Sequence, residues 1–584
     1  MENPLLELQE YENLQEALKK AKGPVQATGT LDSQKVHLMY WLGKDGGFPW
    51  KLVVTYDDQR AREIYDDFRS FTENVWLYPA KDLLFYSADI HGNLMTRQRI
   101  AVWRHLMEEK EGVVVTTLDG LMDHLLPLVF LKQQAVTVEN GQIMDLDEWK
   151  ERLTALGYER TAQVDGMGQF SIRGGIVDIF PLTEEVPVRI ELWDDEVDSI
   201  RSFDPESQRS VEQLEKITIY PSAETILTKK QLEAGIERLE KEEKEYEAAL
   251  RAKHQIEEAS RIRGIIKELT EGIRQGWKRD GLDAYIRYFC PETVSFLDYF
   301  PAGDTLICLD EPARLKEKGE TVEQEFRESM IHRLEKGYLL PGQTELLYAG
   351  TQVLAKLQSS YTVMLTGLDQ KLPGMKVKEK FSFDVRNVNS YQNSFDMLIS
   401  DLTRWKKEGY RVVLLSASRT RASRLASDLR EYDLRAYCPD GTGEEHKAAP
   451  GEILVTYGNI HRGFEYPLIK YVIITEGDMF GTEKKKKRRK KSNYQGKAIQ
   501  SFSELAVGDY VVHEEHGLGI YKGIEKVERD KVIKDYIKIE YGDGGNLYLP
   551  ATRLESIQKY AGADAKKPKL NKLGGTEWNK TKSR

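Results

Sequence analysis

The property that most limits how this chain can fold is a change of hydrophobic period along it. From Lys51 to about Leu126, short apolar runs (Leu52-Val53-Val54, Val75-Trp76-Leu77, Val113-Val114-Val115) alternate with longer amphipathic stretches. Parallel strands separated by helices read this way. Between Ala162 and Pro221 the period falls to two, as in Val188-Arg189-Ile190-Glu191-Leu192-Trp193, with turns at Gly174-Gly175 and Asp204-Pro205. A mainly β insertion inside an α/β unit is therefore expected. Residues 228–275 are dense in Glu, Lys and Ala, with Leu232, Ile236, Leu239, Tyr246 and Leu250 spaced by threes and fours. This spacing predicts a long amphipathic helix or helical hairpin. Thr305-Leu306-Ile307-Cys308-Leu309 then reads as a buried strand that ends in Asp310-Glu311.

Near residue 385 a second α/β stretch begins, with Val412 to Leu415 and Val472 to Ile474 as parallel strands and a helix from Thr420 to Tyr432 between them. From Ser503 to about Gly562 short strands return (Tyr510 to Val512, Tyr536 to Tyr541, Asn546 to Leu549) around the turn Gly542-Asp543-Gly544-Gly545, which suggests a small barrel. A length of 584 residues is several times what one core serves, so a multidomain chain follows. The composition, 40% hydrophobic and 31% charged, is that of packed domains rather than of a disordered or collagen-like chain.

No apolar run approaches the roughly 18 residues of a membrane helix, and the N-terminus lacks a basic segment followed by an apolar one. Cys290, Cys308 and Cys438 are isolated, so neither a disulfide framework nor a zinc spacing can be written, and a reducing cytoplasm is the expected setting. The net charge of −10 argues against an all-over basic surface. Basic charge is concentrated instead in the run Lys484 to Lys491 and between Lys566 and Arg584. Such blocks are ordinarily solvated linkers, and nucleic-acid contact through Lys484 to Lys491 is the lesser expectation.

Nucleotide chemistry needs a GxxxxGK[ST] loop, in which amides cradle phosphate, a lysine reaches the β/γ-phosphates and a hydroxyl holds Mg²⁺. No such octet occurs. The nearest segment, Ala27 to Gln34, contains Gly29 and, aligned on Ser33, has Leu31 and Asp32 where a glycine and the lysine should be, and an acid there repels triphosphate. Asp310-Glu311 at a strand end looks like the Mg²⁺-holding and water-orienting carboxylate pair of such enzymes, left without a loop to deliver nucleotide. His513-Glu514-Glu515-His516 has its histidines at i, i+3 after a β run, not at the i, i+4 of a helical zinc motif, and reads as a turn. No nucleophilic constellation can be located. Catalytic residues are accordingly none.

The insertion carries a different signal. If Val188, Ile190 and Leu192 face a core, then Arg189, Glu191 and Trp193 share the solvent face, and Arg173 joins them if Phe170 and Ile172 point inward. Arginine and tryptophan exposed together are the residue types enriched at binding hot spots.

Several stretches resemble the excision-repair protein UvrB: Gly168 to Pro181, Val188 to Pro205, Ile219-Tyr220-Pro221, and Leu297-Asp298-Tyr299-Phe300-Pro301 leading into Asp310-Glu311. UvrB itself carries an intact phosphate loop and a tyrosine-rich hairpin, neither of which is read here, the latter around Tyr78 to Tyr86. Val511 to Tyr521, Leu547 to Pro550, Tyr560-Ala561-Gly562 and Lys572 to Gly575 resemble the polymerase-interacting domain of the bacterial transcription-repair coupling factor family, itself similar to the regulator CarD. The combination resembles the N-terminal half of that family.

The resemblance implies an α/β multidomain chain. A degenerate RecA-like, UvrB-like α/β domain with its altered phosphate loop would occupy 1–135, and a β-rich UvrA-binding insertion 136–225. A helical segment and the rest of the UvrB-like module would fill 226–380, a second α/β domain 385–480 and a basic linker 481–500. A CarD-like module, a small SH3- or Tudor-like barrel, would follow at 501–565, with a basic tail at 566–584 leading toward a motor beyond Arg584. The implied role is recruitment in transcription-coupled repair, with UvrA docking on Arg173, Arg189 and Trp193. The β subunit of RNA polymerase would dock at Lys526, Val527 and Glu528, where Gly523 to Arg529 reads as a guarded edge strand with one apolar anchor. ATP, Mg²⁺ and most DNA contact would belong to the motor, so this chain would need no cofactor. The rival reading is a UvrB-like nucleotide-binding helicase or damage-recognition subunit.

Overall fold

A computed structural model describes residues 3–20, 22–81, 93–205, 207–275, 281–369, 374–392, 394–439, 448–481, 496–498, 505–513, 517–529, 532–542, 545–550, 557–560 and 570. It is a mixed α/β assembly built on four larger sheets and one strand pair.

The first sheet has seven strands, in the order Lys380–Ser382, Gly23–Thr28, Tyr361–Thr366, Thr305–Asp310, Trp50–Thr55, Gly112–Thr117 and Val75–Tyr78. Every pairing in it is parallel. Its central strands read as unbroken apolar runs because both faces are covered. Leu52, Val54, Val114 and Leu309 join the core shared with the β insertion, while Val53, Val115, Cys308 and Val363 join one shared with Val413, Leu415, Phe464 and Tyr466 of the second α/β unit.

The insertion begins and ends in one place, because Val136–Glu139 pairs antiparallel with Lys216–Ile219. Between them lies a six-stranded sheet in the order Ser210–Leu214, Glu196–Phe203, Val188–Trp193, Ile176–Ile179, Gln169–Arg173, Glu159–Arg160. The helical stretch is a hairpin, Lys229–Ala252 and Ile256–Gln275. Thr228 opens it, accepting a hydrogen bond from the Gln231 amide at 3.3 Å while Gln231 Oε1 accepts from the Thr228 amide at 2.9 Å.

The second α/β unit pairs Arg411–Ser416 in parallel with both Ile453–Tyr457 and Tyr471–Ile474, and the helix Arg419–Arg430 follows the first of these strands. At the C-terminal end, where a small SH3- or Tudor-like barrel is expected, the described residues form no closed barrel. Six antiparallel strands make a sheet whose first and last members, Gly496–Ala498 and Asn546–Pro550, do not pair with each other. The expectation of short strands also fails at Gly517–Arg529, 13 residues long, which forms a hairpin with Val532–Glu540. Alternating charges along this hairpin hid its length from periodicity.

The two α/β units meet through buried polar groups as well as apolar ones. His37 is fully buried, with Trp41 Nε1 donating to its Nε2 at 3.2 Å and its Nδ1 3.1 Å from the Tyr466 hydroxyl. Burial pushes this imidazole down to about 3. A histidine whose folded value lies below its unfolded value of about 6.5 leaves stability intact above that pH and subtracts from it as the pH falls toward 3, by up to about 1.4 kcal/mol per unit. His461 has the opposite sign. Its hydrogen bond to Asp67, 2.7 Å away, raises it against burial, so its stabilisation is complete below about 6.5 and is lost as the pH rises through the folded value. His37→Gln should therefore flatten the acid-side loss of amide protection in Phe464–Tyr466 between about pH 6.5 and 4. An unchanged slope would assign the acid sensitivity elsewhere.

Candidate functional site

Two places could carry chemistry: the turn where a nucleotide would sit on the first sheet, and the outer face of the insertion.

At the first, Gly23–Thr28 runs into Gly29, and the helix Asp32–Asp45 begins three residues later. Gly29 is required for packing. It sits at φ +73°, and a Cβ there would collide with the Phe383 carbonyl oxygen of the neighbouring chain segment. The Ser33 hydroxyl accepts from the Arg462 amide at 3.0 Å, and Leu31 is the residue before the helix, its amide donating to Gln34 Oε1 at 3.1 Å. Asp32 is half exposed, 3.8 Å from Arg462 Nε.

Sequence reasoning found no lysine for this site. The structure places one, Lys35, in the first turn of the helix, buried, with its Nζ 2.7 Å from Asp310 Oδ1 and 2.6 Å from Glu311 Oε1. Arg60 Nε approaches the other Asp310 oxygen at 3.2 Å, and the Thr55 hydroxyl donates to it at 2.9 Å. Burial alone would raise the Asp310 carboxyl, but Lys35 and Arg60 outweigh it and hold the group below its ordinary range. Glu311 stands at φ +51°, uncommon for a residue with a side chain, and its Oε1 also accepts the Gly367 amide at 2.9 Å. The carboxylate pair that could hold a divalent ion is thus engaged by the protein's own cations.

On the insertion, alternation places residues as expected but does not leave them equally free. Val188 and Ile190 are buried and Trp193 is 81% exposed. Asp178, itself buried, receives Arg189 through two bonds of 2.7 and 2.9 Å and Arg173 through one of 2.8 Å. The Arg189 guanidinium also lies 4.5 Å above the Phe203 ring and donates to Gln208 Oε1 at 2.9 Å. The expectation that Arg189 stands open to solvent is therefore corrected: its side chain is mostly enclosed, because Asp178 sits directly opposite it in register. Arg173 remains half exposed. The face thus offers a charge-fixed platform of Asp178, Arg189 and Arg173, with Trp193 standing free beyond it.

The third expected site lies partly outside the described residues. Lys526, Val527 and Glu528 belong to the strand Gly517–Arg529 and face Asp535, Lys534 and Ile533 of Val532–Glu540; their side chains are outside the described residues. The preceding strand, Tyr510–His513, pairs only with residues 517–520, so Gly523–Arg529 has a second edge that no described strand covers. The segment 514–516, the basic run 484–491 and residues 82–92, where a tyrosine hairpin was not expected, fall outside the described residues. No group of three or more metal-ligating side chains occurs among the described residues, and no described helix is long and apolar enough to cross a membrane.

Comparison with known proteins follows the same division. The UvrB interaction domain family matches residues 136–224, the insertion with its paired entry and exit strands. The CarD-like/TRCF RID domain family matches residues 505–561. A transcription-repair-coupling factor of Bacillus subtilis is 34% identical over 538 residues, covering 91% of this chain and 45% of the relative. Those of Staphylococcus haemolyticus and of Staphylococcus aureus strain MRSA252 are 32% and 31% identical, with the same coverage. The chain spans about half the length of the curated relatives it matches. It is similar, over nearly all of its own length, to the N-terminal half of the transcription-repair-coupling factors, with a UvrB interaction domain and a CarD-like domain in one chain.

Proposed function

We propose that this chain is a recruitment platform for transcription-coupled DNA repair, docking RNA polymerase at one end and UvrA at the other. One observation carries the reading: a UvrB interaction domain and a CarD-like/TRCF RID domain occur in a chain whose nucleotide-type position is filled by Lys35. The insertion's outer face would meet UvrA through Arg173 and Trp193, with Arg189 positioning Arg173 through their shared Asp178. The C-terminal sheet would meet the β subunit of polymerase along Gly523–Arg529, accepting a strand on the edge left uncovered. ATP-driven translocation, Mg²⁺ and most DNA contact would belong to the part of the relatives that this chain does not span. The engagement of Asp310 and Glu311 by Lys35 disfavours the rival helicase reading. In this proposal the first α/β unit retains a RecA-like frame as a scaffold.

The test is a bridging experiment. The full chain, immobilised, should capture purified UvrA and core RNA polymerase together. Trp193→Ala should reduce UvrA capture some thirtyfold, the cost of about 2 kcal/mol at a central anchor, and leave polymerase capture unchanged. Equal loss of both would signal misfolding, and loss of neither would reject the assigned UvrA face.

A further inference from the structure

On the insertion, a second exposed apolar side chain shares a row with Trp193. Trp193 lies opposite Glu196 across the hairpin of Val188–Trp193 and Glu196–Phe203. On the far side of that strand, Ile143 forms an antiparallel bridge to the same Glu196. Directly opposed residues of antiparallel strands project to one face, so Trp193, Glu196 and Ile143 stand in line, with the two apolar ends two strand spacings, about 10 Å, apart. The neighbouring Val197 and Met144 turn inward and are buried.

Single exposed apolar residues are ordinary and require no explanation. This pair differs in three respects. Trp193 is 81% and Ile143 63% exposed, so both have most of their surface to lose to a partner. Ile143 is held in place rather than carried on a loose loop: the Gly141 amide donates to the Val197 carbonyl at 2.8 Å, the Val197 amide to the Gln142 carbonyl at 2.8 Å, and the Met144 amide to the Asp195 carbonyl at 2.7 Å. Glu196, between them, forms no ion pair with any described residue, whereas Asp178 and Glu191 on the same sheet are each matched by arginine.

We infer that Ile143 is a second apolar anchor of the UvrA-docking face, and that Glu196 selects a basic side chain of the partner seated between the two anchors. The inference rests on the docking reading given above and adds its chemistry: the partner offers two apolar recesses about 10 Å apart with a lysine or arginine between them. Pre-ordering of Ile143 by its neighbours' backbone bonds lowers the entropy lost on binding. The acid between the anchors contributes to orientation and association rate, and its contribution is screened by salt.

Titration of purified UvrA against the full chain tests this with three variants, Trp193→Ala, Ile143→Ser and Glu196→Lys, each checked for unchanged amide protection over residues 188–203. Ile143→Ser should weaken binding about tenfold. Glu196→Lys should weaken it at least as much at about 0.05 M salt and by a smaller factor at about 0.5 M, because repulsion is screened. If Trp193→Ala weakens binding while Ile143→Ser and Glu196→Lys stay within about twofold of the parent, this inference is overturned and the docking reading stands. If all three bind as the parent does, the docking reading itself fails.

Discussion

Arg99→Leu is expected to destabilise the first α/β unit by about 3–5 kcal/mol, the cost of leaving buried carboxylates without their cation. Arg99 is 0% exposed, 2.8 Å from Asp123 Oδ2 and 3.0 Å from Glu224 Oε1, and it donates to the Pro79 carbonyl at 2.9 Å. Its guanidinium lies 4.3 Å over the Tyr78 ring. Lys81 stands beside it, 2.9 Å from Glu224 Oε2 and 2.7 Å from Asp283 Oδ2. Two cations here face three carboxylates. Burial pushes the Asp123 carboxyl up, and Arg99 is the first group pulling it back. Without Arg99 the Asp123 carboxyl would be pushed further up by burial, and the lost bonds would not be replaced. Asp123→Asn added to Arg99→Leu should therefore recover part of the loss. The readout is amide exchange in Gly112–Thr117, because one melting temperature is ill-defined for several domains. Protection within about 1 kcal/mol of the parent would show that the cluster is hydrated rather than enclosed. Glu224 follows the insertion's exit strand, so the same cluster ties the insertion to its base.

Some of this was legible in the sequence and some was not, for reasons that particular residues make clear. Trp193 was legible because strand alternation is local: Val188 and Ile190 are buried, and the exposed phase follows. The strand ending at Asp310 was legible because four apolar residues in a row after a threonine have few other readings. Arg189 was placed on the correct side but given too much freedom, since its enclosure depends on Asp178, 11 residues away, and on the Phe203 ring. Lys35 was missed altogether. Aligning the phosphate-loop spacing on Ser33 puts Asp32 at the lysine position, and the partner that marks Lys35, Asp310, is 275 residues away. The available signal was the spacing counted from Gly29, which puts the motif's lysine at position 35, where a side chain leaning toward the helix N-terminus reaches back over the sheet's C-terminal edge. The hairpin Gly517–Arg529 with Val532–Glu540 was legible only in shorter pieces because charged residues interrupt its apolar period.

Lys35→Met is the second large effect, again about 3–5 kcal/mol, and its pattern separates a lock from a relic of nucleotide chemistry. The methionine fills the volume of the lysine stem but leaves Asp310 and Glu311 facing an apolar group, with Arg60 and Thr55 as the remaining partners on Asp310 Oδ2, at 3.2 and 2.9 Å. Burial then dominates, and the Asp310 carboxyl rises where in the parent it is held low. In the parent, a depressed carboxyl stabilises above its unfolded value of about 3.9 and loses that stabilisation only as the pH falls through the lower folded value. In the variant the order is reversed, so the deficit should be largest near neutral pH and shrink toward about pH 5, as the carboxyl binds a proton in the folded state. Asp310→Asn combined with Lys35→Met should restore most of the stability, because no uncompensated charge is left inside. Amide exchange over Thr305–Asp310 measures all three proteins. A nucleotide site would behave otherwise: ATP and Mg²⁺ would protect the same amides in the parent, hydrolysis would exceed background, and Asp310→Ala would abolish it. The expected result is no protection and no hydrolysis, because Lys35 already engages both carboxylates that a divalent ion would need. Hydrolysis lost with Asp310→Ala would overturn the lock and restore the enzyme reading.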